Sequence, residues 1–269
     1  MKKYMIRCDI EGVTGVVSPE QAEPGKPEFS VGCHMFMSDL SAMVHGLLEG
    51  GADEISIYDE HYFGRNIDLA QMPEHVNIFS GKPPYQAGWA GGLDESFDGL
   101  LLLGFHSMAG TGELLCHTYE PEIQKILING LAVGEIGMET AVAGQFGVPL
   151  LLITADSAGV EEAKRLVPNV LGVSVKKSLG ANAAICYPPD RTAQWIRDAA
   201  KKAVSEPPKA VPFRLTGPVV LEIQLSPGLF WNQISRKYPD YVSGHSIVIQ
   251  RDTVLEAYAL YWEMKLTCQ

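Results

Sequence analysis

The sequence lacks any long hydrophobic run. Its longest apolar stretches, near residues 100–105 and 148–153, are far shorter than the roughly 20 residues that a membrane-spanning helix needs. The chain reaches Arg7 and Asp9 almost at once, which leaves no room for the apolar segment of a signal peptide. Basic residues are also few, because 21 Lys and Arg stand against 32 Asp and Glu, giving a formal net charge of −11. This charge repels a phosphate backbone. We therefore expect a soluble, cytoplasmic protein that binds neither nucleic acid nor a membrane.

Cysteine is scarce and follows no pattern. The five cysteines are odd in number and widely spaced, and no CxxC pair exists among Cys8, Cys33, Cys116, Cys186 and Cys268. This disfavours a disulfide framework and a zinc site built from thiolates, so we expect buried, reduced thiols. The sequence also has no GxxxxGK[ST] loop and no GxSxG elbow, which disfavours nucleotide binding and serine hydrolysis.

Short apolar runs alternate with amphipathic stretches over the first two-thirds of the 269 residues. The runs predict strands at 3–8, 54–58, 76–80, 99–105, 149–155 and 171–175. The helical periodicity predicts helices at 31–49, 134–146, 160–166 and 191–205. Strands that alternate with helices indicate an α/β fold, with a largely parallel sheet flanked by helices.

Two features interrupt this alternation. Asn129-Gly130 separates two apolar runs, which predicts a β-hairpin within the sheet because both positions tolerate positive φ. A proline-rich segment near 205–212 predicts a linker, followed by strands near 219–225 and 246–250 and a closing helix from about 252. We therefore expect an α/β core at 1–205 and a smaller C-terminal α+β subdomain at 206–269, packed on the core.

Polar side chains follow the predicted strands at the points where those strands end. Asp9 and Glu11 follow the first strand, His61 the second, and His106 the apolar strand at 99–105, while Glu135 starts the helix after the hairpin. Ligands bind at the carboxyl ends of the strands in open α/β sheets. Imidazole and carboxylate are ligands that catalytic zinc accepts, and a carboxylate can bridge two such ions. The five residues together predict a metal site.

Each residue also has a simpler interpretation. Asp9 is typical of a turn, and Glu135 would complement a helix dipole. His61 and His106 taken singly are typical of loop histidines. His117 differs because it lies in the glycine-containing loop after the apolar strand, where an imidazole is available as a general acid or base.

These residues resemble the zinc D-aminopeptidases that assemble into rings. The family's opening Ser-x-Asp-x-Glu-Gly appears with Arg7 in place of serine, and a histidine stands at the family's second-histidine spacing at His117. The other matching segments are Asp59-Glu60-His61, Gly104-Phe105-His106, Asn129-Gly130, Val133-Gly134-Glu135-Ile136-Gly137 and Leu255-Glu256-Ala257-Tyr258. The similarity covers essentially the whole chain in order.

The resemblance implies two zinc ions per subunit, bridged by Asp9, with His117 as the catalytic general base or nucleophile. The remaining ligands would be Glu11 and His106 for one ion and His61 and Glu135 for the other. Mn²⁺ and Co²⁺ also suit this ligand set. The expected substrates are short peptides with an N-terminal D-residue such as D-alanine, and the expected assembly is a homodecamer of two stacked pentameric rings.

Arg7 is the departure from the family pattern. It either reaches the site, where it would pair with a ligand or substrate carboxylate, or points to a solvated edge of the strand. Two alternative functions stay open from the sequence. One is a dinuclear metal amidase for another small amide, and the other is a non-catalytic, metal-stabilised ring protein that binds a small ligand.

Overall fold

The computed structural model describes residues 1–268, which form two β-sheets and seven α-helices. The strands are β1 (Lys3–Cys8), β2 (Glu54–Asp59), β3 (Val76–Phe79), β4 (Gly99–Phe105), β5 (Ile123–Ile128), β6 (Leu131–Val133), β7 (Leu150–Asp156), β8 (Leu171–Ser178), β9 (Ala184–Cys186), β10 (Val219–Leu225), β11 (Val242–Ser243) and β12 (Ser246–Arg251). The helices are α1 (Pro19–Ala22), α2 (Phe29–Gly50), α3 (Glu135–Gln145), α4 (Ser157–Leu166), α5 (Pro189–Ser205), α6 (Leu229–Lys237) and α7 (Val254–Thr267). Within residues 1–268, no helix combines the length and the apolar character needed to cross a membrane.

The main sheet has seven strands in the order β3-β2-β1-β4-β7-β8-β9. Every neighbouring pair is parallel except β8 with β9, which confirms the predicted α/β class. The strand order reverses between β1 and β4, whose carboxyl ends are therefore adjacent. Crossover connections diverge at such a point and leave a crevice for a ligand.

Strand β4 divides its leucines between the two faces of the sheet. Leu101 and Leu103 pack into a core with α2 and α5, whereas Leu100 and Leu102 pack into a second core with α3, α7 and the second sheet. A strand covered on both faces is apolar throughout, as this one is. Helix α2 lies close against α5 at Gly46, where a Cβ atom would meet the carbonyl oxygen of Arg197 at 2.3 Å.

The second sheet is antiparallel, in the order β11-β12-β10-β5-β6. The β5–β6 hairpin turns at Asn129 and Gly130, with φ of 49° and 81°, as the sequence predicts. The expectation that it interrupts the main sheet is wrong, because β5 pairs with β10 instead. This sheet thus takes strands from both sides of residue 205. The division into units at 1–205 and 206–269 stays a prediction.

The five cysteines are free thiols in the structure. Cys8 and Cys268 are buried, and Cys33 and Cys116 are half-buried. The expectation of buried thiols is wrong for Cys186, which is exposed. The reason is that Cys186 ends β9, a three-residue strand at the edge of the main sheet with no neighbour on its outer side.

Candidate metal centre

The loop after β1 carries the first two acidic residues and lies directly against the end of β4. The backbone N–H of Gly12 donates to the carbonyl of Gly104 at 2.7 Å. A Cβ atom on Gly12 would lie 1.8 Å from the carbonyl oxygen of Phe105, so only glycine fits there. This close approach fixes Asp9 and Glu11 at the crevice between the two strands, and both are buried.

Lys176 of β8 holds the same loop from its other side. Its fully buried ammonium donates to the carbonyls of Glu11 at 2.6 Å and Val13 at 2.8 Å, and also to that of Val16. Burial lowers the pKa of Lys176 to about 8, although Asp156 opposes the shift. The lysine therefore satisfies three backbone acceptors that no regular secondary structure would satisfy.

The five predicted ligands come together in one cluster. Asp9 faces two histidines with its two oxygens: Oδ1 lies 2.9 Å from His61 Nδ1, and Oδ2 lies 3.3 Å from His106 Nε2. Glu11 Oε2 lies 3.1 Å from His61 Nδ1. Glu135 Oε1 lies 3.7 Å from His106 Nε2. Asp9 is thus the central residue of the cluster.

Each histidine near the cluster turns one ring nitrogen away from it, toward a backbone carbonyl. The pairs are His61 Nε2 with Ala22 at 2.6 Å, His106 Nδ1 with Ser107 at 3.1 Å, and His117 Nδ1 with Leu115 at 2.9 Å. A carbonyl only accepts, so the nitrogen that faces it carries the proton, and in a neutral ring the inner nitrogen keeps its lone pair. Metal-binding histidines are oriented in this way.

Lone pairs on the inner nitrogens then face carboxylate oxygens, which are also acceptors. Neither His106 Nε2 nor Glu11 Oε2 has a hydrogen-bond partner among residues 1–268, although both atoms are buried. Burial alone would lower the pKa of His106, but Asp9, Glu135 and Glu11 raise it to about 10. Burial would raise the pKa of Asp9, but His106 and His61 hold it well below its usual value. A cation between the groups, either protons or a metal ion, must therefore offset the acceptors, and the donor set fits zinc.

His117 stands at the open side of the cluster. Its side chain is 36% exposed, and its ring stacks on that of His106 with centroids 4.1 Å apart. His117 Nε2 lies 3.9 Å from Glu135 Oε1 and 4.0 Å from Glu11 Oε1, too far for a hydrogen bond. This nitrogen is therefore available to a ligand.

The potential ligand atoms fall into two groups, each within 4.8 Å: Asp9 with Glu11 and His61, and His106 with His117 and Glu135. The expected pairing of Glu11 with His106 and of His61 with Glu135 stays a prediction. Asp9 is the residue that reaches toward both groups, because each of its oxygens faces a different histidine.

The cluster opens into a cavity of about 800 Å³ whose other walls the sequence analysis missed. Lys82 and Tyr85 come from the segment between β3 and β4, and Trp262 and Lys265 come from α7. Lys82 lies three residues after β3, but its side chain is not a metal ligand, and the other three residues lie farther from any strand end of the main sheet. The lysines and aromatic residues of this wall are far apart in the sequence, where no motif connects them.

Arg7 is buried beneath the cavity, with 1% of its side chain exposed. One guanidinium nitrogen lies 2.7 Å from Glu60 Oε1 and 2.9 Å from Glu139 Oε2, and the guanidinium packs between the rings of Tyr58 and Tyr85. The interpretation of Arg7 as a solvated edge residue is therefore wrong, and the two carboxylates that it pairs with are not among the predicted ligands. It supports Glu60, which lines the cavity next to His61 in the chain.

Comparisons with known proteins agree with this geometry. A protein family described as D-aminopeptidase matches residues 1–261. A D-aminopeptidase of Bacillus subtilis (strain 168) is 27% identical over 227 residues, which are 84% of this chain and 82% of the relative. Among solved structures, the zinc-dependent D-aminopeptidase DppA from Bacillus subtilis is described as a self-compartmentalizing protease. It superposes with a TM-score of 0.92 and 24% identity, covering 99% of this chain and 97% of that one.

The structural match shows a shared fold, which includes both sheets because it spans nearly the whole chain. The family match extends from β1 to Tyr261 in α7, so it includes the strand ends that carry the cluster and stops just before Trp262 and Lys265 of the cavity wall. The chain belongs to the D-aminopeptidase family of peptidases.

Proposed function

We propose that this protein is a zinc-dependent aminopeptidase that hydrolyses short peptides with an N-terminal D-residue. The ligands would be Asp9, Glu11, His61, His106 and Glu135. One observation carries the proposal: within this buried cluster of imidazoles and carboxylates, His106 Nε2 and Glu11 Oε2 have no hydrogen-bond partner among residues 1–268. Membership of the D-aminopeptidase family supports the activity, and the zinc dependence of the structural relative supports the choice of metal.

Asp9 is the residue suited to bridge two ions, because its two oxygens face different histidines. When bound, zinc would supply Lewis-acid chemistry, polarising the scissile carbonyl and making water a stronger acid. Backbone carbonyls orient the histidine rings. Glu11 and Glu135 add their negative charges to that of Asp9. Gly12 and Lys176 hold the loop in place, so the ligand atoms are positioned before substrate enters.

His117 is the candidate catalytic residue. Its Nδ1 is held by the carbonyl of Leu115, so its Nε2 lone pair points into the cavity. In peptide hydrolysis, water adds to the carbonyl carbon, the C–N bond breaks, and the leaving amine takes a proton. His117 Nε2 would accept the proton released by water and pass it to that amine.

The count of two ions per subunit and the decamer of two pentameric rings are further parts of this proposal. The description of the relative as self-compartmentalizing supports an assembly that encloses its sites. Light scattering coupled to size-exclusion chromatography would measure the assembly, with a mass ten times that of the 29.3 kDa chain expected. A cytoplasmic location also stays a prediction.

The proposal is tested with three dipeptides and one metal analysis. Zinc-loaded and chelator-treated protein are incubated with D-alanyl-D-alanine, L-alanyl-L-alanine and N-acetyl-D-alanyl-D-alanine. We expect chelator-sensitive release of D-alanine from the first peptide, slow cleavage of the second and none of the third. Elemental analysis of the same sample should give about two zinc ions per chain.

Two other results would contradict the proposal. Cleavage of the acetylated peptide would indicate an amidase that does not need a free amine. Bound zinc without cleavage of any peptide would favour a non-catalytic, metal-stabilised protein.

A further inference from the structure

Two lysines flank one tryptophan on the cavity wall away from the metal cluster. The Nζ atoms of Lys82 and Lys265 lie 5.1 and 4.5 Å from the ring centroid of Trp262. Both side chains are largely shielded from water, with 19% and 10% of their surface exposed. All three residues line the same cavity as Asp9 and His117. Both ammonium groups face this one cavity, and each has one carboxylate beside it, Glu60 for Lys82 and Glu120 for Lys265.

The two ammonium groups retain hydrogen-bonding capacity. Lys265 Nζ lies 2.8 Å from Glu120 Oε1. Lys82 Nζ donates to the backbone carbonyl of Glu60 and lies 3.6 Å from Glu60 Oε2, beyond a good hydrogen bond. An ammonium has three donors, so each lysine has donors left for a ligand.

The backbone holds these lysines in place. Lys82 follows Gly81, which has a φ of 82°, and precedes Pro83 and Pro84, whose rings fix their own φ. Lys265 lies in α7, and Trp262, one helical turn earlier, packs beside it. Lys265 is thus positioned by a helix, and Lys82 by a loop whose backbone is restricted on its C-terminal side.

We propose that Lys82 and Lys265 form a subsite for the free C-terminal carboxylate of the substrate. This inference rests on the proposed function, because it is the peptide cleaved at the metal cluster that carries the carboxylate. An extended residue spans about 3.5 Å, so the carboxylate of a peptide only two or three residues long stays near the scissile bond. A cavity of about 800 Å³ suits a ligand of that size. The preferred substrates are therefore short peptides with a free acid end.

The test compares D-alanyl-D-alanine with D-alanyl-D-alaninamide, which lacks the negative charge. Zinc-loaded wild type should prefer the free acid by at least tenfold in kcat/KM, mainly through KM. Lys82→Met and Lys265→Met should each lower the ratio of the two kcat/KM values at least tenfold, toward one. They should do so by weakening binding of the free acid, with the amide unaffected. Lys265→Arg should restore part of it. Lys164→Met is the matched control, because Lys164 is exposed on α4 outside the cavity, and it should retain the wild-type preference.

Binding is measured separately from turnover, so that the two proposals fail in different ways. Calorimetry with both peptides uses the zinc-loaded His117→Ala protein, alone and with each lysine change, and thermal unfolding checks that the variants fold. Tighter binding of the free acid that disappears in the lysine variants supports the subsite even if no peptide is cleaved. Three results overturn the subsite: equal affinity of the unmodified site for both peptides, an equal loss of affinity for both peptides in the lysine variants, or no binding at millimolar concentration.

Discussion

The loop that carries Asp9 and Glu11 depends on one buried ammonium, and replacing it is the most direct test of how the site is built. We predict that Lys176→Met destabilises the protein by about 3 kcal/mol and weakens zinc binding at least tenfold. Methionine has a similar length and is apolar, so it fills the space without donating. The change therefore removes the hydrogen bonds and the charge while leaving little cavity.

The magnitude follows from two opposing contributions. Three buried carbonyls lose the ammonium, and Val13 keeps only a long bond of 3.4 Å from the N–H of Val16. Each poorly satisfied acceptor costs about 1–3 kcal/mol, or about 3–9 kcal/mol in all. Removing a buried charge offsets part of this loss of stability. The pKa of Lys176 is lowered from 10.5 to about 8, so burial of its charge costs about 3 kcal/mol. The difference is a net loss centred near 3 kcal/mol, a large share of the stability of a typical domain.

Urea unfolding of the metal-free protein and chelator competition for zinc measure the two effects. Lys177→Met is the matched control, because Lys177 is the next residue on β8 and is exposed. It should unfold at the wild-type urea concentration and bind zinc as wild type does. The reasoning is refuted if Lys176→Met also behaves like wild type in both measurements.

Four further predictions follow from the site and its support. His117→Ala should abolish measurable turnover while zinc content by elemental analysis stays unchanged, because this residue is assigned to proton transfer. Glu135→Ala should lower the zinc content, because it removes one of the five ligands. Gly12→Ala should destabilise the fold by several kcal/mol in urea unfolding, since its Cβ atom would overlap the backbone of Phe105 at 1.8 Å. Burial raises the pKa of Asp39 to about 6 despite hydrogen bonds from Thr14. The folded state therefore holds this proton more tightly than the unfolded state, and stability should fall by about 3 kcal/mol as pH rises from about 4 to about 6.

Each of these predictions has a contradicting result. Retained activity in His117→Ala would remove its catalytic role, and unchanged zinc content in Glu135→Ala would remove its role as a ligand. A Gly12→Ala protein as stable as wild type would show that the loop can move away from β4. For Asp39, the comparison is Asp39→Asn. If its stability falls between pH 4 and 6 as steeply as that of wild type, another group causes the dependence.

The strands and long helices of the main sheet could be predicted because their signals are local. The apolar run at 99–105 coincides with β4, and Lys3–Cys8 coincides with β1. Elements that depend on a partner were missed. Ala184–Cys186 is a strand only because it pairs with β8. Leu229–Lys237 is a short helix whose first N–H groups donate to the distant Glu122 carboxylate rather than to a local cap. Short elements of this kind carry too few residues for periodicity to reveal them.

The ligand candidates could be predicted for a similar reason. Parallel strands bring their carboxyl ends to one edge, so Asp9, His61 and His106 were expected near one another from their positions alone. The structure adds two features that the pattern does not contain. One is the carbonyl that orients each imidazole, and the other is the pair of buried atoms without a hydrogen-bond partner, which indicate a cation. The cavity wall was unpredictable, because Lys82 and Trp262 are far apart in the chain and carry no shared motif.

The sequence by itself determined the class of the fold, the order of its main strands and helices, and which polar residues end those strands. These follow from side-chain periodicity and turn chemistry, which act over a few residues. Only the tertiary structure decided that the β5–β6 hairpin pairs with β10, that Arg7 is buried between Glu60 and Glu139, and that α7 closes the cavity. Those outcomes depend on which distant surfaces bury one another. That choice is made by the packing and charge balance of the whole chain rather than by any local pattern.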